Sequence, residues 1–260
     1  MKKNQIAAQM YTIRDYIQNA NDFNTSCKRL KDIGFDAVQI SGAGDICPKE
    51  MKKIIDDNGL ICCATHESGD EIFNQTQKLV DKLNILDCKY TAYPYPSNAN
   101  FDTLEGVYEL ANNLNKAGEI FYNNNQILTY HNHHIEFMKF NNELILDIIY
   151  NKTDPKFLQG EIDTYWVQAG GGNPVKWCKK LKDRLPLLHL KDYKITYNNN
   201  KEVTVSFAEI GNGNLNFKKI IKKAEESGCK WFIIEQDTCD ICPFEALKIS
   251  YNYLINNICE

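Results

Sequence analysis

The feature that most constrains this chain is a repeated alternation of short β-rich runs with longer amphipathic stretches. The runs are Ile6–Met10, Ala37–Ile40, Leu60–Ala64, Tyr90–Tyr93, Ile127–Tyr130, Leu158–Ile162, Leu187–Leu190 and Trp231–Ile234. Branched and aromatic residues, bounded by polar or glycine-containing segments, mark each as a strand. Between them the apolar spacing predicts helices, among them Phe23–Ile33, Glu50–Asp57, Glu71–Leu86, Leu104–Tyr122 and Phe217–Glu226. Gly34, Gly59 and Gly228 fall just past three of these helices, where a left-handed backbone costs least. Eight such units without a long linker close most economically as an α/β fold, the (β/α)8 TIM barrel, for which 260 residues is an ordinary length. The expectation is one domain over residues 1–260 with an excursion hairpin at about 193–207. There Asn198-Asn199-Asn200 separates Lys194–Tyr197 from Val203–Phe207.

Composition removes several function classes. Net charge is −4 and the lysines are interspersed, so no basic stripe exists to track a phosphate backbone, and nucleic acid is not expected as a partner. No apolar run approaches the roughly 20 residues needed to span a bilayer. The start, Met1-Lys2-Lys3-Asn4-Gln5, moves into a strand without a signal-peptide core, so the sequence reads as cytoplasmic and without a membrane partner. The ten cysteines are dispersed, several within apolar runs, which reads as reduced thiols rather than a disulfide framework. Cys239-Asp240-Ile241-Cys242 has C-x-x-C spacing but no second pair and no thioredoxin-like setting, and reads as a loop and helix start.

The five histidines all lie in strand-like runs that end in polar residues, and two further runs end in acids, Asp163 and Glu235. A barrel gathers such residues at the carboxyl ends of its strands. His131, Asp163, His189 and Glu235 would sit at the ends of strands five to eight, neighbours around one rim. Two imidazoles and two carboxylates suit one divalent metal ion, Mn, Fe, Co, Zn or Mg, with positions left for substrate oxygens. A lone histidine at a strand end is more often a satisfied structural residue; four compatible donors on consecutive strands argue for a site.

Other side chains are candidates to carry protons or hold substrate. His133 lies two residues beyond His131 and so on the same face of a strand, and Lys191 repeats that spacing after His189. Either is a second proton carrier beside Glu235, or an orienting partner and a solvated lysine respectively. Glu136, in a loop, is a weaker candidate, and His134 is expected to face away from His133. His66 ends strand three across the mouth, where it would bond a substrate hydroxyl; Trp166, Tyr11 and Tyr93 would supply an apolar wall. Gly211-Asn212-Gly213 precedes a helix and reads as a tight loop rather than a phosphate cradle, since no arginine or lysine flanks it before Lys218.

Taken jointly, these motifs resemble the sugar phosphate isomerase and epimerase family of xylose-isomerase-like barrels. The residues are Gln9-Met10-Tyr11-Thr12-Ile13-Arg14-Asp15, Gly34-Phe35-Asp36-Ala37-Val38-Gln39, Tyr130-His131-Asn132-His133 and Glu136-Phe137. They continue in Ile162-Asp163-Thr164-Tyr165-Trp166, His189-Leu190-Lys191-Asp192 and the run from Glu209 to Leu215. The resemblance implies a metal held by Asp163, His189 and Glu235, with His131 at the strand-five place where the family usually has glutamate. It points to the inosose-dehydratase-like branch, which also has a histidine-rich strand five. It implies Glu235, His133 and Lys191 as catalytic residues and His66, Trp166, Glu136 and Glu209 at the substrate.

The implied function is a metal-dependent isomerase or epimerase of a sugar or keto-sugar, working through an enediolate. The alternative is a dehydratase or β-eliminating lyase on an inosose-like keto-polyol or a 3-keto-glycoside. An endonuclease on the same barrel would need histidines where this chain has Trp166 and Phe207 and an aspartate at Val205. A non-catalytic sugar-binding barrel would not need an intact ligand set. The expected partner is a small sugar or keto-polyol, and the reading leaves a homo-oligomer open.

Overall fold

The structure is a computed structural model that describes residues 1–97, 99–197 and 200–259. Eight parallel strands close into a barrel: β1 Ile6–Gln9, β2 Ala37–Ile40, β3 Ile61–His66, β4 Tyr90–Tyr93, β5 Ile127–His131, β6 Leu158–Asp163, β7 Leu187–Leu190 and β8 Trp231–Ile234. Consecutive strands pair around the ring, and β8 returns to β1 through Ala7 opposite Ile233.

The two faces of each strand do different work because successive side chains point in opposite directions. Outward residues such as Ile6, Val38, Leu128, Ile162, Leu188 and Phe232 are fully buried in the main core beneath the helices. Inward residues at the amino-terminal end form a second, smaller cluster that includes Ala7, Ala37, Leu187 and Ile233. Two positions further on the same faces stand Gln9, Gln39, His189 and Glu235. One apolar layer therefore plugs the barrel, and the next layer toward the carboxyl ends is polar. A one-residue irregularity opposite Val38 and Gln39 places both Cys63 and Ala64 in the plug.

Local signals explain the helix limits. Asn19, Ser68, Thr103, Asn173 and Asn216 each accept a hydrogen bond from a backbone N–H in the first turn of the helix that follows. Gly34 ends the helix Ala20–Ile33 at φ +121°, and a Cβ there would meet the Tyr251 ring at 2.9 Å. The helix expected over Glu71–Leu86 is divided into Gly69–Asn74 and Thr76–Leu86. Gln75, at φ −132° and ψ 29°, interrupts it although the apolar spacing runs through.

The excursion after β7 is an antiparallel ribbon, Asp192–Tyr197 against Val203–Ala208, with Ile195 opposite Val205. Asn198 and Asn199, expected at its turn, lie outside the described residues. Among the described residues no helix is long and apolar enough to cross a membrane.

Candidate active site

At the carboxyl end of the barrel the polar layer is organised by one carboxylate. Glu161, two residues before Asp163 on the inward face of β6, is fully buried, and its Oε1 lies 2.5 Å from His66 Nε2, 2.8 Å from His189 Nε2 and 3.2 Å from His131 Nδ1. Its Oε2 accepts from Gln39 Nε2 at 2.9 Å, and Gln39 Oε1 accepts in turn from Gln9 Nε2 at 2.9 Å and lies 2.6 Å from His189 Nε2. Burial alone would raise the Glu161 carboxyl, but His189 and His66 outweigh it and hold it well below the carboxylate range.

Above this layer stand Asp163, at the end of β6, and Glu235, just past β8. His189 joins the two layers, with Nε2 toward Glu161 and Nδ1 2.8 Å from Glu235 Oε2. Burial opposes its charge, yet Glu161 and Glu235 together push it up to about 10. Lys191 is 1% exposed although it is a lysine, because Nζ lies 2.8 Å from Glu235, 3.1 Å from Asp163 and 3.0 Å from Asp237. These three acids overcome desolvation and raise its pKa, so it stays an ammonium. Lys191 and His189 in turn outweigh burial and hold Glu235 ionised, whereas desolvation raises Asp163 to about 6.

One donor atom each from His131, Asp163, His189 and Glu235 lies within 4.8 Å of all the others. A second grouping, His66, His131, Glu161 and His189, meets the same limit. The first set fits a divalent cation. Asp163 Oδ2 and His131 Nδ1 are buried with only ion-pair contacts, to Lys191 Nζ at 3.1 Å and Glu161 Oε1 at 3.2 Å, and no well-aligned hydrogen bond, so the donor set is under-satisfied as it stands. Burial and the neighbouring His189 lower His131 to about 3, so its imidazole is neutral and able to ligate.

The remaining candidates spread around this centre. A cavity of about 440 Å³ over the mouth is lined by His66, His131, His133, Lys191 and Glu235, with Tyr11 and Arg14 on one side. His133 is lowered to about 2 by burial and by His131 and Lys191, and its Nδ1 is buried without a partner. Trp166 stands behind it, 5.1 Å between ring centroids, with the exposed His134 stacked on the indole at 5.0 Å. Lys191 Nζ lies 5.4 Å over the same indole.

Three sequence candidates sit apart from the mouth cavity. Glu136 is completely buried beneath it, where its carboxylate accepts from Tyr130 Oη at 2.9 Å and from the His133 backbone N–H at 2.8 Å. Glu209 accepts from Asn212 Nδ2 at 3.3 Å and lies beside Cys239. Tyr93 is fully buried against Tyr130 and Phe73 rather than forming part of an apolar wall. The loop after the ribbon is explained by Asp192, whose carboxylate accepts from the N–H groups of Gly211, Gly213 and Leu215. Those donors are therefore already engaged within the protein, in agreement with a tight loop.

The fold of this chain has counterparts among known proteins. The sequence pattern of the xylose isomerase-like TIM barrel family matches residues 27–248. The chain belongs to that family. A solved sugar phosphate isomerase/epimerase from Parabacteroides distasonis superposes with a TM-score of 0.81 at 25% identity, covering 99% of this chain and 96% of that one. An inosose dehydratase of Mesomycoplasma hyopneumoniae is 26% identical over 94% of this chain and 72% of its own length. An inosose dehydratase of Clostridium botulinum is 29% identical over 54% of this chain. That match takes in 51% of the relative, so the chain spans about half the length of such curated relatives.

Glu161 and Gln39 are among the residues of the site that the sequence reading did not single out, with Gln9 and Asp237. The first two are polar side chains in the inward register of a buried strand, two positions from another inward residue, and that spacing is the signal that would have found them.

Proposed function

We propose that this member of the xylose isomerase-like family is a metal-dependent isomerase or epimerase of a sugar or keto-sugar. The observation that carries the reading is the convergence of His131, Asp163, His189 and Glu235 beside a buried ammonium, Lys191, at the floor of an open cavity. A divalent ion held by these four residues would supply Lewis-acid polarisation of a carbonyl, which would acidify the C–H of the adjacent hydroxyl-bearing carbon.

The protein's own groups then divide the proton work. Glu235, kept ionised by Lys191 and His189, is the base that takes the α-proton. Lys191 is held in place by three acids and offers a fixed positive charge to oxygen as negative charge develops there. His133 enters unprotonated, and an anionic intermediate would raise its proton affinity, so it is placed to hand a proton between the two faces of the substrate. His66 is fixed by Glu161 and presents its edge to a hydroxyl. Glu161 receives ring N–H groups of the histidines and so sets which nitrogen of each is left to ligate.

A second reading, a dehydratase acting on a keto-polyol, is favoured by the same Lys191. An ammonium 2.8 Å from the proposed base is well placed to protonate a departing β-hydroxyl. The two readings share proton abstraction and part afterwards. Product mass separates them: isomerisation conserves it, and dehydration removes one water.

A further inference from the structure

A second cavity, of about 540 Å³, adjoins the mouth and shares two of its lining residues, Ser41 and His66. It lies between the helices Pro48–Asp57 and Thr76–Leu86, beneath the loop that follows β2. The reacting chemistry described above uses only the mouth, and this space has no part in it.

The wall between the two spaces is built rather than accidental. Gly42 takes φ +70°, and a Cβ there would meet the Tyr11 ring at 3.0 Å. A Cβ at Gly44 would stand 2.0 Å from the Gln18 carbonyl oxygen, which only glycine avoids. Gln18 Nε2 donates to the Gly42 and Arg14 carbonyls at 2.8 and 2.7 Å, tying the loop to the segment that carries Tyr11. Ser41, buried, and His66, fixed on Glu161, form the crest of this wall.

The lining defines what fits. Ile46, Met51 and Leu79, from the loop and from the two helices, are buried in its lining and offer an apolar surface. Glu67, 5% exposed, is paired with Lys82 at 2.8 Å, an ion pair that both accepts and donates hydrogen bonds. The cavity carries four carboxylates, Asp45, Glu67, Glu71 and Asp81, against two lysines, Lys78 and Lys82, so a phosphate is disfavoured. A hydroxyl-bearing ring with an apolar face and no charge matches all three features. Each cavity falls within the roughly 300–1,000 Å³ typical of a small-molecule site, so each takes one ring.

We propose that the mouth and this cavity form one two-part site whose substrate is a disaccharide or other sugar-to-sugar glycoside, with the reacting ring over Glu235 and the second, uncharged ring beyond Ser41 and His66. This rests on the sugar-processing reading of the mouth. The test is calorimetric titration of the Mn²⁺-loaded protein with glucose, glucose 6-phosphate and four glucose disaccharides: maltose, cellobiose, trehalose and sophorose. At least one disaccharide is expected to bind about tenfold or more tightly than glucose, and the phosphate to give no gain. Ala43→Phe, and separately Ile85→Trp, which fill the cavity from the loop and from the helix, are each expected to remove most of the disaccharide's advantage. Equal affinity for glucose and every disaccharide, an advantage that survives both substitutions, or an equal gain from the phosphate would overturn the proposal. Binding is read without turnover, so the outcome stands whether or not keto-sugars react at the mouth. Exchange at the mouth without a disaccharide gain would refute the two-part site alone.

Discussion

The Lys191 ammonium lies 2.8 Å from Glu235 Oε2, with both side chains almost wholly removed from solvent. The same ammonium serves Asp163 and Asp237, so one positive charge answers three acids. Removing it takes the shared cation away from the buried carboxylates Asp163 and Glu235, a change that costs about 3–5 kcal/mol in comparable buried pairs. Lys191→Met is therefore expected to lower the melting temperature of the metal-free protein markedly, and saturating Mn²⁺ to recover much of the loss by supplying positive charge to Asp163 and Glu235. Thermal unfolding with and without Mn²⁺ checks this; an identical deficit in both conditions would contradict it.

Ligand variants and proton-carrier variants are expected to separate. Asp163→Ala and His189→Ala lose bound metal and turnover together, because each removes one of four converging donors. His133→Ala keeps one ion per chain and loses turnover by about 10²–10⁴-fold, the usual span for a positioned acid or base. Metal content of the purified variants, read beside their rates, decides it. A fully active His133→Ala protein would remove the role assigned to that ring.

Glu161 touches the proposed ion only through the histidines. Glu161→Gln keeps the side-chain volume but weakens the acceptor for the three ring nitrogens, and is expected to reduce Mn²⁺ affinity about 10–100-fold with a stoichiometry of one. Titration of the metal-free protein measures both quantities. Two ions bound to the native protein, falling to one in the variant, would instead make Glu161 a ligand in its own right, in the grouping with His66.

Glu136 makes stability depend on pH in a direction that can be worked out. Burial raises its carboxyl to about 7, above the ordinary value of 4.5, so the folded state holds a proton that the unfolded chain has released. Its contribution is fully present below about pH 4.5, is lost at up to about 1.4 kcal/mol per unit as pH rises toward 7, and is flat above. Glu136→Gln keeps an acceptor for the His133 N–H and cannot ionise. Its stability relative to the native protein should therefore rise between pH 5 and 7 and level off beyond, in thermal or urea unfolding. Parallel pH curves for the two proteins would refute this.

Much of this architecture is legible in the chain because a barrel strand carries its function at a fixed place. The expected run Trp231–Ile234 is β8 residue for residue, and Glu235 follows it directly, so strand end and site residue are read together. The same holds for His131 and Asp163, each the last residue of its strand. Glu161 is less visible: its place two residues before Asp163 marks it as inward, but its role depends on three histidines brought from other strands. Glu136 looks like a mouth residue in sequence, three positions past His133, but the short turn Ile135–Phe137 carries it down against Tyr130. The break at Gln75 left no mark either, since Ile72, Leu79, Val80 and Leu83 keep their apolar spacing across it.

The central claim is that Glu235, beside a metal held by His131, Asp163, His189 and Glu235, removes a proton from carbon next to a carbonyl. The most direct measurement is incubation of the Mn²⁺-loaded protein with a panel of keto-sugars and inososes in deuterated water, read by NMR and mass spectrometry. The account predicts deuterium at the α-carbon of recovered substrate or isomerised product, or, where water is eliminated, a primary isotope effect from α-deuterated substrate; each is absent in Glu235→Gln. Product that forms without deuterium at carbon and without an isotope effect would contradict it.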